Sequence, residues 1–303
     1  MSAIKEAYIM FNGQKVVAQY DEITKTWTAT TNAPANSSWS QPDHVYKVEI
    51  HAVDAADNKA TMTSADPTYG DQLKIRVLEK SKPTATIVSP TQGSVLGASE
   101  QDIVLEMSDA GGSGLNETTV VFTVNGKSHA GDLSFTDHES KRRATYHATG
   151  LNDGQNTITF KVTDNDGNAS KLATTTFVVS TAAPSLTVNT PTEGLITNSN
   201  KLTVTGFTTP GSNAVTIANV KVNNASVRLS GDSTKTFSHE VTLTEGKNTI
   251  TVVSTDSIGK ATTVTRHVTL DTNAPIITDV VAEATTVDSG GTIKITFKVT
   301  DAA

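Results

Sequence analysis

The chain has 303 residues, of which 36% are hydrophobic and 5% aromatic, and it carries a formal net charge of −7. This length predicts two or three compact domains, and so few apolar side chains predict small, separate cores. Acids and bases are mixed along the chain, which excludes a broad nucleic-acid-binding face; no apolar run approaches the roughly 20 residues that cross a bilayer, and there is no cysteine for disulfides.

Threonine and valine are abundant, and no segment sustains a helical period. β-Branched residues pack well on a pleated surface, so the composition predicts an all-β fold. The chain opens Met1-Ser2-Ala3-Ile4-Lys5-Glu6, without the apolar stretch of a signal peptide, which predicts synthesis without a leader. Glu6 to Phe11 then alternates into Asn12-Gly13, a hairpin tip of residues that tolerate positive φ. Trp27, in the alternating run Thr26 to Thr30, is expected to be a core tryptophan. Trp39 lies in the loop Asn36 to Pro42, and Tyr69 belongs to the same aromatic-rich first stretch. Exposed rings in loops stack on sugars or anchor partners, which makes Trp39 and Tyr69 candidate ligand contacts. The competing reading has Trp39 folded back to cap the sandwich edge.

From Pro83 the chain repeats itself. Pro83-Thr-Ala-Thr-Ile-Val-Ser-Pro-Thr-Gln-Gly93 returns as Pro184-Ser-Leu-Thr-Val-Asn-Thr-Pro-Thr-Glu-Gly194, and a third opening begins at Pro275-Ile276-Ile277. The later parts match as well: Leu151 to Thr159 corresponds to Leu243 to Thr251, and Asp164 with Gly167 to Asp256 with Gly259. Asp54-Ala55-Ala56-Asp57-Asn58 holds the same place in the first stretch. A period of about 90 to 100 residues suits seven-stranded sandwiches. The expected organisation is a partial unit at 1–80 lacking its first two strands, complete units at 83–180 and 184–271, and the first two strands of a further unit at 275–303. The second of those strands is predicted at Thr292 to Val299. The polar stretch Thr136 to Arg143 is predicted to extend a hairpin, with Lys141-Arg142-Arg143 as a solvated tip. Three explanations of the offset ends stand open: a longer array, a reduced first sandwich, or C-terminal strands that complete the first unit of another copy.

No catalytic constellation emerges, and the chain is expected not to be an enzyme. Gly231-Asp232-Ser233 sits in a hairpin tip without the strand-to-helix elbow of a serine hydrolase. His138-Glu139 and His239-Glu240 supply only the first two letters of a zinc-protease motif. The remaining histidines are scattered singly, as strand-surface residues. Asp164, Asp166 and Asn168 do place three oxygen side chains at alternate positions, as hard-cation loops do, although the glycine falls at the fourth position. The competing reading is a turn in which Asp and Asn bond the backbone.

The segment Leu270-Asp271-Thr272-Asn273-Ala274-Pro275 and the turn Val162 to Asn168 resemble the linker and last hairpin of bacterial immunoglobulin-like (Big-type) tandem repeats. The resemblance covers essentially the whole chain and implies immunoglobulin-like β-sandwiches arranged as beads on a string. In related adhesins such turns and linkers bind calcium between domains, which implies Asp164, Asp166, Asp256 and Asp271 as calcium ligands. These repeats occur in bacteriophage tails and virions, in surface adhesins and beside glycosidases. The expected role is structural, in a virion tail or surface protein; the alternative is an extracellular adhesin or carbohydrate-binding module on the bacterial surface. Expected partners are other virion or surface proteins, the chain itself by strand donation, and host glycans, with no nucleic acid and no membrane insertion.

Overall fold

The computed structural model describes residues 3–301. The first unit contains β1 (Ile4–Phe11), β2 (Gln14–Val17), β3 (Gln19–Asp21), β4 (Thr26–Thr28), β5 (Tyr46–Asp54), β6 (Lys59–Met62) and β7 (Lys74–Ile75). Its main sheet runs β2-β1-β5-β6 with β7 also on β5, while β3 and β4 form a hairpin of their own. Asn12 and Gly13 take φ of 48° and 74°, the left-handed pair that matches a tight turn to strand twist.

The second unit contains β8 (Thr84–Ser89), β9 (Val95–Leu96), β10 (Gln101–Ser108), β11 (Leu115–Val124), β12 (Lys127–Ser128), β13 (Ser134–His138), β14 (Lys141–Ala148), β15 (Gly154–Asp164) and β16 (Ala173–Val179). Two sheets result, β13-β14-β10-β8 and β12-β11-β15-β16-β9. The third unit repeats this plan with β17 (Ser185–Thr190), β18 (Leu195–Thr197), β19 (Lys201–Thr209), β20 (Ile217–Val222), β21 (Ala225–Ser226), β22 (Leu229–Ser230), β23 (Lys235–Thr242), β24 (Gly246–Asp256) and β25 (Ala261–Leu270). Its sheets are β17-β19-β23-β22 and β18-β25-β24-β20-β21. The chain is thus all-β, with tandem immunoglobulin-like sandwiches. It ends in β26 (Ile276–Ala282) and β27 (Ile295–Thr300), a two-stranded sheet whose second strand starts three residues later than the alternation predicts.

By contact the chain falls into two compact units, Met1–Ser94 with Glu100–Phe177 and Val95–Ser99 with Val178–Ala303. The short segment joins the second because β9 pairs in parallel with Val178 and Val179. No helix among the described residues is long and apolar enough to cross a membrane.

Alternation fills the cores. In the second sandwich, β10 buries Ile103, Leu105 and Met107 at no more than 1% exposure, and the other sheet buries Phe122, Ile158, Phe160 and Val162 completely. Each such side chain contributes about 1.5–3 kcal/mol on leaving water. The third core gathers Val204, Val220, Val222, Phe237, Ile250 and Val252 with their neighbours. Gly206 makes room there, since a methyl group at that position would overlap the Phe237 ring and the Thr187 carbonyl.

Two expectations fail for physical reasons. Trp27 is 39% exposed and leans on Tyr20, with ring centroids 5.1 Å apart, because β3 and β4 have no further strand beside them to complete a covering sheet. Lys141, Arg142 and Arg143 are not a loop tip but the start of β14. Lys141 and Arg143 pair with Glu106 at 2.8 and 2.7 Å, and Arg142 pairs with Glu117 and Asp137 at 2.6 and 2.9 Å. The hairpin expected over residues 136–143 is present as β13 and β14.

Candidate metal centre

The turn that closes β15 is built by Asp164. Its Oδ1 accepts from the Asn168 backbone N–H at 2.8 Å and its Oδ2 from Asn168 Nδ2 at 2.9 Å, while Gly167 supplies φ of 91°. Asp54 makes the same bonds to Asn58 after β5, and Asp256 accepts from the Ile258 and Lys260 N–H groups after β24. The aspartate is therefore first a turn-former, as short side chains that mimic backbone acceptors are.

What distinguishes Asp164 is its company. Glu79, after β7, and Asp109, after β10, bring carboxylate oxygens that lie with one from Asp164 within 4.8 Å of one another. Asp164 is 1% exposed and Glu79 8%; Asp109 is half-buried. Asp109 is held by the loop after it, accepting from the Gly111 N–H at 3.0 Å and the Gly114 N–H at 2.8 Å. Glu79 accepts from Ser113 Oγ at 3.0 Å and from the Ser81 N–H at 2.9 Å. Its backbone is clamped on both sides: the N–H donates to Asp166 Oδ2 at 3.0 Å and the carbonyl accepts from Asn168 Nδ2 at 3.1 Å. Gly111 leaves room for the Glu79 carboxylate, which a methyl group there would displace.

None of these three carboxylates has a Lys, Arg or His ion-pair partner among the described residues. Two like charges 4.8 Å apart repel by about 3 kcal/mol at an effective dielectric near 20. A divalent cation would offset that repulsion. Calcium takes oxygen ligands at 2.3–2.6 Å, so opposite ligands lie about 4.8 Å apart, and the three oxygens fit one shared ion.

The four aspartates expected from sequence divide accordingly. Asp164 belongs to the group, and Asp166 holds the Glu79 N–H beside it. Asp256 occupies the matching turn of the third sandwich, 2% exposed, with its Oδ2 lacking a hydrogen-bond partner. At that joint Ser180 stands where Glu79 stands, four residues before the proline, and bonds Ser212 Oγ at 2.8 Å. Asp271 accepts from the Asn273 N–H at 3.1 Å. No group of three acidic or histidine ligands among the described residues includes Asp256 or Asp271. Glu79 and Asp109 escaped sequence reading because one opens the linker and the other starts a glycine loop, far apart in the chain.

The aromatic candidates stand apart from this centre. Trp39 is half-buried and stacks on the His44 ring with centroids 4.0 Å apart, and its N–H donates to the buried Ser37 at 3.0 Å. The ring is thus paired within its own loop. Tyr69 is 53% exposed, on a turn held by Asp66.

Two family models match parts of the chain. Residues 83–160 match the bacterial Ig domain family, and residues 184–272 match domain B of glucodextranase. Bacillopeptidase F of Bacillus subtilis (strain 168) is 28% identical over 181 residues, covering 59% of this chain; the chain spans only 12% of that relative's length. Among solved structures, the fibronectin(III)-like modules of Clostridium thermocellum CbhA are similar at 17% identity and a TM-score of 0.36, over 62% of this chain and 94% of theirs. The Bacteroides ovatus protein SGBP-B, solved with a mixed-linkage heptasaccharide, is similar at 14% identity and a TM-score of 0.23, over 92% of this chain and 63% of its own. With the same strand plan in both complete sandwiches and a bacterial Ig match on the first of them, the chain is a tandem immunoglobulin-like repeat protein.

Proposed function

We propose that the chain is a non-enzymatic structural component of a bacteriophage virion, a spacer or decoration of its tail or surface, in which the stiffness of the joints is the useful property. The observation that carries the spacer role is the fastening of Glu79. Its backbone N–H, its carbonyl and its carboxylate are all tied to the second sandwich or to the following linker. A linker held in this way transmits orientation, whereas a free one of polar residues would behave as a flexible coil. Calcium bound by Glu79, Asp109 and Asp164 would tighten the same joint. The virion setting is supported by the likeness of the repeat pattern to those of tailed phages.

Small-angle scattering tests the spacer role. Wild type should show one defined maximum dimension, and Glu79→Ala a broader, more flexible profile; identical profiles would sink it. Mass spectrometry of gradient-purified particles tests the setting. Recovery of the chain only from bacterial cell walls would overturn it.

A second reading is favoured by the glucodextranase domain B match at 184–272 and by the identity with Bacillopeptidase F. In it the chain is an accessory or adhesive module on the bacterial surface that contacts glycans. Tyr69 is the better aromatic candidate, since Trp39 already stacks on His44. Tyr69→Ala should abolish retention on a glycan array under this reading, and a wild-type chain that binds no glycan removes it.

A further inference from the structure

One cleft of the second sandwich is lined by residues that the fold itself does not call for. Lys127 and His129 follow the Asn125-Gly126 tip between β11 and β12. Backbone pairing fixes their counterparts. Val124 faces Lys127, as Phe11 faces Gln14 in the first unit and Val222 faces Ala225 in the third. The His129 N–H donates to the Phe122 carbonyl at 3.0 Å, and the Val227 N–H donates to the Val220 carbonyl at the same distance. His129 thus stands where the third sandwich packs Val227 against its core and where the first unit has Val16. A β-branched side chain suits such a half-buried strand position. An imidazole brings polar atoms that are costly to bury unless they are bonded.

The ring is held in place by its neighbours. Its Nδ1 lies 3.0 Å from Asp132 Oδ2, and its centroid lies 4.6 Å from that of Tyr146. Tyr146 in turn stands edge-on to the fully buried Phe122, with centroids 5.5 Å apart. The His129 side chain is only 14% exposed. Its Nε2, the Tyr146 hydroxyl and the Lys127 ammonium have no hydrogen-bond or ion-pair partner among the described residues. All three residues line one cleft of about 310 Å³, shared with Asn125, Gly150 and Leu151, and no acidic residue lines it.

We propose that this cleft binds an anionic sugar residue, a single ring that carries a carboxylate or a phosphate. Ligand pockets start at about 300 Å³, so the space suits one ring. With Asp132 accepting from Nδ1–H, the Nε2 of the neutral imidazole is left to accept from a sugar hydroxyl. Tyr146 adds a hydroxyl on a ring held by the core, a polar tip on a rigid apolar body. Lys127 adds a positive charge that no acid in the cleft neutralises, which selects a negative group. The inference stands whether the chain is a spacer or a surface module, and Tyr69 plays no part in it.

The third sandwich supplies the controls. Amide spectra of the isotope-labelled full chain, titrated with sodium glucuronate, glucosyl phosphate, glucose and inorganic phosphate, test the site. At least one of the two anionic sugars should shift the Lys127, His129 and Gly150 signals saturably, and the tighter of the two names the anionic group. Glucose and inorganic phosphate, each lacking half of the ligand, should bind about tenfold more weakly. Lys127→Ala and His129→Val install the residues that the third sandwich carries at these positions, so the fold should tolerate them. Tyr146→Phe keeps the ring against Phe122 and removes only the hydroxyl. Each variant should weaken binding about tenfold with the melting curve unchanged, and if one melts early the other two decide. No saturable shift with either anionic sugar, glucose or inorganic phosphate binding as tightly as they do, or unchanged affinity in the folded variants would overturn the proposal.

Discussion

Glu106 shows how one buried-edge carboxylate is set by its partners. The Lys141 ammonium and then the Arg143 guanidinium, both hydrogen-bonded to it, hold its carboxyl down from 4.5 to about 2, against a smaller opposing effect of burial. Because the folded value lies below the unfolded one, the stabilisation is complete above about pH 4.5 and is lost as pH falls toward 2. Glu106→Gln should lower the melting temperature at pH 7 and flatten the fall in stability between pH 4.5 and 2; melting curves of both proteins across that range check it, and parallel curves would contradict it. The sequence shows three basic residues in a row but not their partner, since Glu106 meets Arg143 only through the register of two strands 37 residues apart. The metal centre has the same history. The Asp164 turn is legible as an alternation of oxygen side chains, while Glu79 and Asp109 reach it through tertiary contacts. Asp164→Ala, which strands the Asn168 donors, should cost about 1–3 kcal/mol in chemical denaturation, and a loss below a few tenths would mean the turn holds without it.

Strands are legible where one face is buried and the other wet, as in β15, where exposure alternates at every step from Asn156 to Asp164. The same alternation in Thr26 to Thr30 misleads about Trp27, because a strand's pattern states which face is apolar and not whether another sheet covers it. Leu105 and Phe297 make the contrast measurable. Both stand at one position of the repeat, yet Leu105 has 0% exposure and Phe297 57%. Leu105→Ala should cost about 2–5 kcal/mol, as cavity-forming core truncations do. Phe297→Ala should change the stability of a dilute sample by no more than about 0.5 kcal/mol, as exposed substitutions do. Urea titrations at low protein concentration compare them directly, and equal costs would mean the hairpin is covered in solution.

At the scale of the molecule, the units differ in how much apolar surface holds them. The third sandwich has twelve buried residues in one cluster, from Val188 to Leu270, and the first unit has five, from Phe11 to Val77. Separate cores joined by linkers need not melt together, so scanning calorimetry should resolve more than one transition, with the first unit opening earliest. Calcium then distinguishes the joints. The carboxylates of Glu79, Asp109 and Asp164 come from the end of the first unit and from the second sandwich, whereas the third offers Ser180 and Ser212 at the matching place. An ion bound only to the folded joint stabilises it by about 2.7 kcal/mol at a hundred times its dissociation constant. Calcium should therefore raise the transitions of the first unit and the second sandwich and leave that of the third where it stands in chelator. Glu79→Gln should remove the shift without lowering the third transition. Curves that coincide with and without calcium would leave the three acids as hydrogen-bonded turn and linker residues, and a uniform shift of every transition would place calcium at some site other than this one.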